Sequence, residues 1–344
     1  MSIILDEDAA AHPPTGDGAP AAPNSSRGRL VWRRLRRNKM AVLGAVIIVL
    51  LFVAAFTYTW YWPWNYLQPD PNAFLTAPSA THIFGTDNDG FDLFAETMRG
   101  LQKSLIIGLL VAILSTATAA VVGSVAGYFR GWSEWLITAI VDLLLTLPSF
   151  VILSVLSPAF RGQTWLLLVL LIAAFNWMIT ARIIRGMTLT LKEQEFVRAA
   201  RLMGLSPWRV ITRHILPQMS SLLIVDATVN VGGAILTETS LSYFGFGIQA
   251  PDVSLGTLIA DGTDSALTFP WLFFIPAGFL VVTVLAVNLV GDGLRDAFDP
   301  NSSRGRRRAD RRELRAERRA ARARENTTQA QESATQGATP GKST

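Results

Sequence analysis

The stretch EFVRAARLMGLSPWRVITRHILPQ, Glu195 to Gln218, reads like a piece of a soluble protein set inside an oily one. It carries Glu195, Arg198, Arg201, Arg209 and Arg213, yet long runs with almost no charge begin about a dozen residues away on either side. Its first half places Phe196, Ala199, Ala200 and Met203 at i, i+3, i+4 and i+7, one stripe of a helix, with Arg198 and Arg201 off it. Gly204 follows at the position where a left-handed residue closes a helix, and Leu205 can fold back on Ala200. Ser206 then reads as an N-cap and Pro207 as the first residue of a second helix. Trp208, Ile211 and Ile215 supply its apolar stripe, and Pro217 is expected to stop it. Two short helices joined by a tight bend are expected here.

The surroundings are those of a membrane protein. Half of the 344 residues are apolar and only 17% are charged, below the roughly 25% of soluble domains. Met40 to Tyr61 is free of charge and, at ~1.5 Å per residue, long enough to cross a ~30 Å hydrocarbon layer. It ends in TYTWYWPW, whose Tyr58, Trp60, Tyr61, Trp62 and Trp64 suit an interfacial aromatic belt. A cleaved signal peptide would be shorter, nearer the start and followed by a small-residue cleavage site. Five further apolar segments follow, near Ser104–Tyr128, Glu134–Leu156, Gln163–Ile183, Ser220–Phe246 and Pro270–Val290. The expected fold is an all-α integral membrane protein with six transmembrane helices.

Charge orients those spans. Net charge is +5, but 28 of the 31 basic residues fall on one side: seven in RGRLVWRRLRRNK (Arg27–Lys39), Arg130, seven from Arg182 to Arg213, and thirteen from Arg295 onward. The other side holds Arg99, Lys103 and Arg161. Basic residues near short loops stay on the cytoplasmic face, so both termini and the Glu195–Gln218 stretch are expected there, in a multi-pass plasma-membrane protein. The tail SSRGRRRADRRELRAERRAARARE suits either a helix drawn to the anionic inner leaflet or a freely solvated segment.

Catalysis within this chain is not expected. It has no cysteine, three histidines far apart (His12, His82, His214), and no Walker A, GxGxxG or HExxH pattern. Three uses of the polar stretch compete. A DNA-reading helix-turn-helix has a similar pattern, but flanking spans would pin the second helix against the bilayer, out of reach of a duplex, so no nucleic acid is expected. An amphipathic loop resting on lipid is the second use. The third, a docking element for a cytoplasmic partner, fits best.

Ala199, Ala200, Gly204, Leu216 and Pro217 match, at full spacing, the EAA loop of ABC importer permeases. His214-Ile215-Leu216-Pro217 is similar to the ending found in the peptide-transporting branch. RRNKMAVLG, HIFGTDNDGFD (His82–Asp92), GGAILTETSLSYFGFGIQAP (Gly232–Pro251) and NLVGDGLRDAFDP (Asn288–Pro300) resemble that branch's C-type subunit, over about residues 29 to 300. Two positions depart from it: Arg198 stands where a Glu is usual, and Phe91 where an Arg is. The resemblance implies a MetI-like, type I permease fold with cytoplasmic coupling helices. It implies as partners a second, B-type permease, two ATP-binding subunits and an extracytoplasmic solute-binding protein, besides membrane lipid. No cofactor would be bound by this chain; ATP and Mg would sit on the partners. It further implies an ATPase-coupling loop of Glu195, Arg198, Ala199, Ala200, Met203, Gly204, Leu205, Ser206, Pro207, Leu216 and Pro217. Dipeptides and oligopeptides are the implied cargo, with nickel complexes, glutathione and haem as alternatives. A membrane-tethered regulator and a stand-alone secondary carrier are the readings from other classes.

Polar residues inside apolar runs are costly and therefore candidates for function, or for helix–helix hydrogen bonds. Asn176, Asn230 and Glu238 are candidates for a translocation path; Asp142 and Asp226, near the expected cytoplasmic ends, suit structural pairing. Pro148 is expected to bend the third span, and Gly123 and Gly127 form a GxxxG packing pair. The outer loops, Trp62–Gly100 and Gln249–Phe269, are expected to cover the outer mouth, where a solute-binding protein would dock. The expected organisation is a leader (1–26), a basic arm with the first span and outer loop (27–100), a five-helix core with its EAA loop at 191–217 (101–298), and a basic tail (299–344).

Overall fold

Backbone N–H and C=O groups in hydrocarbon must be satisfied within their own segment, so apolar runs of this length fold as helices. The computed structural model describes residues 27–160 and 164–298; the leader, Arg161 and the tail lie outside them. In chain order the α-helices are α1 (Arg27–Arg37), α2 (Lys39–Tyr61), α3 (Leu93–Phe129), α4 (Gly131–Thr146), α5 (Ser149–Leu156), α6 (Trp165–Lys192), α7 (Glu195–Leu202), α8 (Pro207–Val210), α9 (Ser220–Tyr243), α10 (Leu255–Thr263) and α11 (Pro270–Phe298). Among the described residues the β content is one isolated bridge, Thr86 with Asp92.

Five of these helices are long and apolar enough to span a membrane: α2, α3, α6, α11 and the continuous helix Pro207–Tyr243. The sixth expected span is broken rather than bent. It divides into α4 and α5, which meet at 84°. Pro148 lacks an N–H and pushes Leu147 out of the helical region, so Leu147 takes ψ 136° and Pro148 becomes the N-cap of α5.

Pro217, by contrast, does not stop its helix. A π turn (Ile211–Ile215) and a 3-10 turn (Leu216–Met219) carry the chain from α8 straight into α9. Proline in a regular helix clashes with the carbonyl four residues back. Widening the ladder just before it removes that clash, as π turns do.

α3 is the central helix, packed along α6 and α9. It starts at Leu93, well outside the expected Ser104, because Glu96 and Lys103 are buried in the bundle instead of ending the helix. The Gly123–Gly127 pair lies against α6: a Cβ on Gly123 would come 2.5 Å from the Ala181 carbonyl oxygen, and one on Gly127 2.7 Å from Thr188 Cβ. Below this contact, Ala119, Tyr128, Ala181 and Ile184 form one buried cluster with Val197, Ala200, Val210, Ile211, Ile215 and Met219 from the polar stretch. The stretch is therefore part of the bundle's core on one side.

The outer loop is pinned to the mouth of α3 by Asp92. Its Oδ1 accepts from the Ala95 N–H at 2.8 Å, capping the helix, and from Trp62 Nε1 at 2.9 Å. Its Oδ2 lies 2.8 Å from His82 Nδ1, and the His82 ring packs 4.5 Å from Trp64. Asp87 Oδ1 accepts the N–H groups of Asp89 at 3.0 Å and Phe91 at 2.7 Å. Burial pushes the Asp87 carboxyl up, against those backbone bonds. Phe91 thus serves the turn through its backbone; nothing in the structure explains why its side chain replaces the family's Arg. The second outer loop contains a helix not foreseen from the sequence, α10, opened by a capping box in which Ser254 Oγ accepts from the Thr257 N–H (3.3 Å) and Thr257 Oγ1 from the Ser254 N–H (2.9 Å).

The second outer loop is joined to α3 by an ion cluster. Asp252 accepts from Arg99 Nε (3.1 Å) and Nη2 (2.7 Å) on one oxygen and from Lys103 Nζ (2.6 Å) on the other. Partial burial raises the Asp252 carboxyl, but Lys103 and Arg99 outweigh it and hold it below the usual range. Asp252→Asn strands the buried Lys103. We expect a loss of about 2–3 kcal/mol, short of the ~3–5 kcal/mol of a fully buried pair, because Asp252 is 28% exposed. Thermal unfolding of the detergent-solubilised protein measures it. Since the folded pKa is depressed, this stabilisation is complete above the unfolded value of about 4 and fades as pH falls through the folded one. The gap between wild type and Asp252→Asn should therefore narrow only below about pH 4.

Candidate functional site

The bend between α7 and α8 is built from local bonds. The N–H of Leu205 donates to the Ala200 carbonyl (3.3 Å) and that of Gly204 to the Arg201 carbonyl (3.0 Å), the two bonds of a Schellman stop. Gly204 takes φ +78°, a conformation open to glycine at little cost. Leu205 packs on the same core cluster as Ala200. Ser206 occupies the N-cap position with ψ 149°, and its side chain makes no cap bond; Pro207 at N1 sets the restart. Leu216 packs against the cluster and Pro217 is exposed.

Burial sorts α7 differently from the expected stripe. Val197 and Ala200 face the core, Glu195, Arg198 and Ala199 face outward, and Phe196 and Met203 are outside too. Periodicity finds a face but does not say which of two apolar faces is covered. Phe196 is 41% exposed, Trp208 54%, Met203 73% and Leu202 89%. Apolar side chains so exposed at the tip of a stiff turn, among Arg198, Arg201, Arg209 and Arg213, form a bare apolar patch rimmed by charge. Arg198 has an acidic partner in its own chain: its Nη2 donates to Glu193 Oε2 at 2.9 Å. That bond, first, holds the Glu193 carboxyl below its usual range; the pair is exposed and contributes little to stability. Lys192 Nζ donates to the Tyr128 carbonyl and lies over the Tyr128 ring, tying the end of α6 to the end of α3. Two more pairs tie α4 to α6. Arg182 donates to Asp142, and Arg185 Nε donates to Glu134 Oε1 at 3.0 Å.

Higher in the bundle, a cleft of about 270 Å³ opens between the α4–α5 break, α6 and α9. Asn176 and Asn230 line it together with Thr180, Asp226, Leu147 and Ser149. Glu238 is elsewhere. It is fully buried, accepting from Ser104 Oγ on α3 (2.9 Å) and Ser242 Oγ (2.7 Å), so it joins two helices and lines no part of this cleft. Asp226 was expected near a cytoplasmic helix end, but the helix runs from Pro207, which puts Asp226 close to its midpoint. Its partners could not be read from the sequence, because Thr116 and Thr180 come from two other helices.

Comparison with known proteins agrees with this architecture. Residues 119–304 match the family model described as the binding-protein-dependent transport system inner membrane component, and residues 26–78 match the N-terminal TM domain of oligopeptide transport permease C. The chain is 51% identical over 284 residues to the oligopeptide transport system permease protein OppC of Mycobacterium tuberculosis, covering 82% of this chain and 98% of that protein. It is 37% identical over 279 residues to the OppC of Haemophilus influenzae, covering 79% and 89%. The chain therefore belongs to the family of binding-protein-dependent transport inner membrane components, as a multi-pass permease subunit.

Proposed function

We propose that this chain is a translocating subunit of an ATP-driven importer of oligopeptides or dipeptides. It forms the path with a second, homologous permease and receives cargo from an extracytoplasmic solute-binding protein. Two ATP-binding subunits carry ATP and Mg, and one of them docks on the cytoplasmic bend of this chain. Both termini then lie in the cytoplasm. The observation that carries this reading is the two-sided bend: Val197 and Ala200 are locked into the bundle while Leu202 and Met203 are bare. A capped, stiff element fixed on one face and apolar on the other suits the transmission of a push. When ATP draws the partner subunits together, a docked α7 must move, and α3 and α6 must move with it. Apolar burial at Leu202 and Met203 supplies the grip, about 25 cal/mol per Å² covered. The likeness in sequence to oligopeptide permeases supports the choice of cargo.

The test is purification of the tagged chain from membranes, identification of co-purifying subunits, and measurement of ATP turnover with peptide-loaded binding protein. We expect two nucleotide-hydrolysing subunits and a second permease to co-purify, and turnover to rise severalfold with peptide. Recovery of the chain without any ATP-binding subunit, or uptake in a membrane lacking one, would overturn the reading.

A further inference from the structure

Asp226 has an unusual position for a carboxylate. It sits in a membrane-spanning helix, on the wall of the cleft, and is only partly buried. Three neutral donors hold it: Thr180 Oγ1 to Oδ1 at 2.9 Å, and Thr116 Oγ1 at 3.2 Å and Asn230 Nδ2 at 2.9 Å to Oδ2. No arginine, lysine or histidine pairs with it among the described residues. Both carboxylates of α4 have such a cation from α6: Glu134 has Arg185 and Asp142 has Arg182. An ionised carboxylate has about four acceptor sites; Thr180, Thr116 and Asn230 fill three, which leaves about one for a ligand in the cleft that Asp226 lines. Charges kept within a membrane pair with something or mark a pathway.

We propose that Asp226 is a cation-recognition site in the translocation path and that the primary ammonium of a transiting peptide is its ligand. The inference rests on the peptide-import reading above. The hydroxyls of Thr116 and Thr180 aim the carboxylate from two helices, so it meets an incoming ammonium without rearranging. Asn230 and Asn176 flank it with amides that can bond the peptide backbone. The apolar wall contributed by Leu147 and its neighbours accepts side chains of varied shape. Charge is thus read at one end of the solute, while the rest of it is tolerated. The arrangement suits a path that passes many sequences with one shared chemical group.

The chain has no cysteine, so a single thiol can report on the cleft. In the whole transporter, with cysteine-free partner subunits, Asn176→Cys is treated in membrane vesicles with a trimethylammonium or a sulfonate methanethiosulfonate. Each rate is divided by that of the same reagent with a free thiol. With Asp226 present the cationic reagent should be favoured about tenfold, as an anion on the wall of the same partly desolvated cleft predicts. With Asp226→Asn, which keeps the shape, removes the charge and turns one accepting oxygen into a donor, so that the partner hydroxyl or amide on that side must reverse its bond, the preference should fall to near one. A dipeptide with a free amino terminus should slow the cationic reagent severalfold, its N-acetylated form should not, and Asp226→Asn should erase the difference. Equal charge preference in both backgrounds, equal protection by both peptides, or a thiol that never reacts would each overturn the site. Peptide-stimulated ATP turnover on vesicles of the transporter without the Asn176 and Asp226 substitutions keeps the two readings apart. If turnover still responds to peptide while the charge preference ignores Asp226, only the site fails. If turnover ignores peptide but the preference follows Asp226, the cation site stands and the peptide cargo falls.

Discussion

A chain carrying Leu202→Asp and Met203→Asp is expected to insert at the normal level and yet lose at least about nine-tenths of peptide uptake. Both side chains are bare, 89% and 73% exposed, and neither belongs to the core cluster beneath α7. Exposed substitutions away from structural features change stability by about 0.5 kcal/mol or less. A buried apolar anchor at an interface is worth about 2 kcal/mol or more, a factor of about thirty in affinity, and two new carboxylates must also be desolvated on docking. Immunoblots of membranes, co-purification of ATP-binding subunits and peptide uptake measure the three consequences separately. Normal amounts of protein with lost co-purification and lost uptake place the grip at this tip. Normal uptake would remove the tip from the mechanism and leave the bend as a loop resting on lipid. Arg198→Ala, which breaks only the exposed pair with Glu193, serves as the mild comparison.

What the sequence disclosed about this region follows the range of the forces involved. The stop at Gly204 and the restart at Pro207 were legible because the bonds that make them close within six residues, from Ala200 to Leu205. The continuation through Pro217 was not, because a proline that ends a helix and one absorbed by a π turn look alike until the neighbouring helices fix the backbone. Around α7, a helix of eight residues, the expected stripe held Phe196, Ala199 and Met203 as well as Ala200, and only packing against the bundle shows that Ala200 is covered, with Val197, while the other three are bare. The polar residues within the spans show the same division. Asp226 and Asn230 stand out as polar residues in an oily run, and their i, i+4 spacing already makes them neighbours. That Thr116 and Thr180 complete the group, or that Glu238 is sealed between Ser104 and Ser242, depends on three helices meeting and leaves no mark in any one of them. Outer charges misled for the opposite reason. Lys103 looked like the mouth of a span, whereas the bundle encloses it together with Glu96, and Asp252 neutralises it from across the fold.

Gly123→Leu is expected to abolish folding into the membrane, or to leave a protein whose thermal midpoint in detergent falls far below wild type, while Gly186→Leu changes little. The two glycines belong to the same helix pair, Gly123 on α3 and Gly186 on α6, but their surroundings are opposite. A Cβ on Gly123 would lie 2.5 Å from the Ala181 carbonyl and 2.9 Å from Ile184 Cβ; one on Gly186 meets nothing within 4 Å. Side chains forced into a packed contact cost about 1–3 kcal/mol, and here the obstacle is backbone, which cannot turn aside, so Leu should reach the upper end or beyond. The contact matters for more than stability. Ala181 and Ile184 of α6 touch α3 through it and sit in the cluster that holds Val197 and Ala200 of the bend. One turn or so above them on the same helix are Thr180 and Asn176, which face the cleft. Small residues let α3 and α6 approach closely enough to move as one body, and a push on α7 can then reach the wall of the cleft instead of being lost in side-chain slack. A milder insertion, Gly123→Ala, should fold and separate the two effects: uptake should fall more than the thermal midpoint suggests, with ATP-binding subunits still bound. If uptake instead tracks folded protein one for one, the α3–α6 contact is a structural weld with no part in transmission.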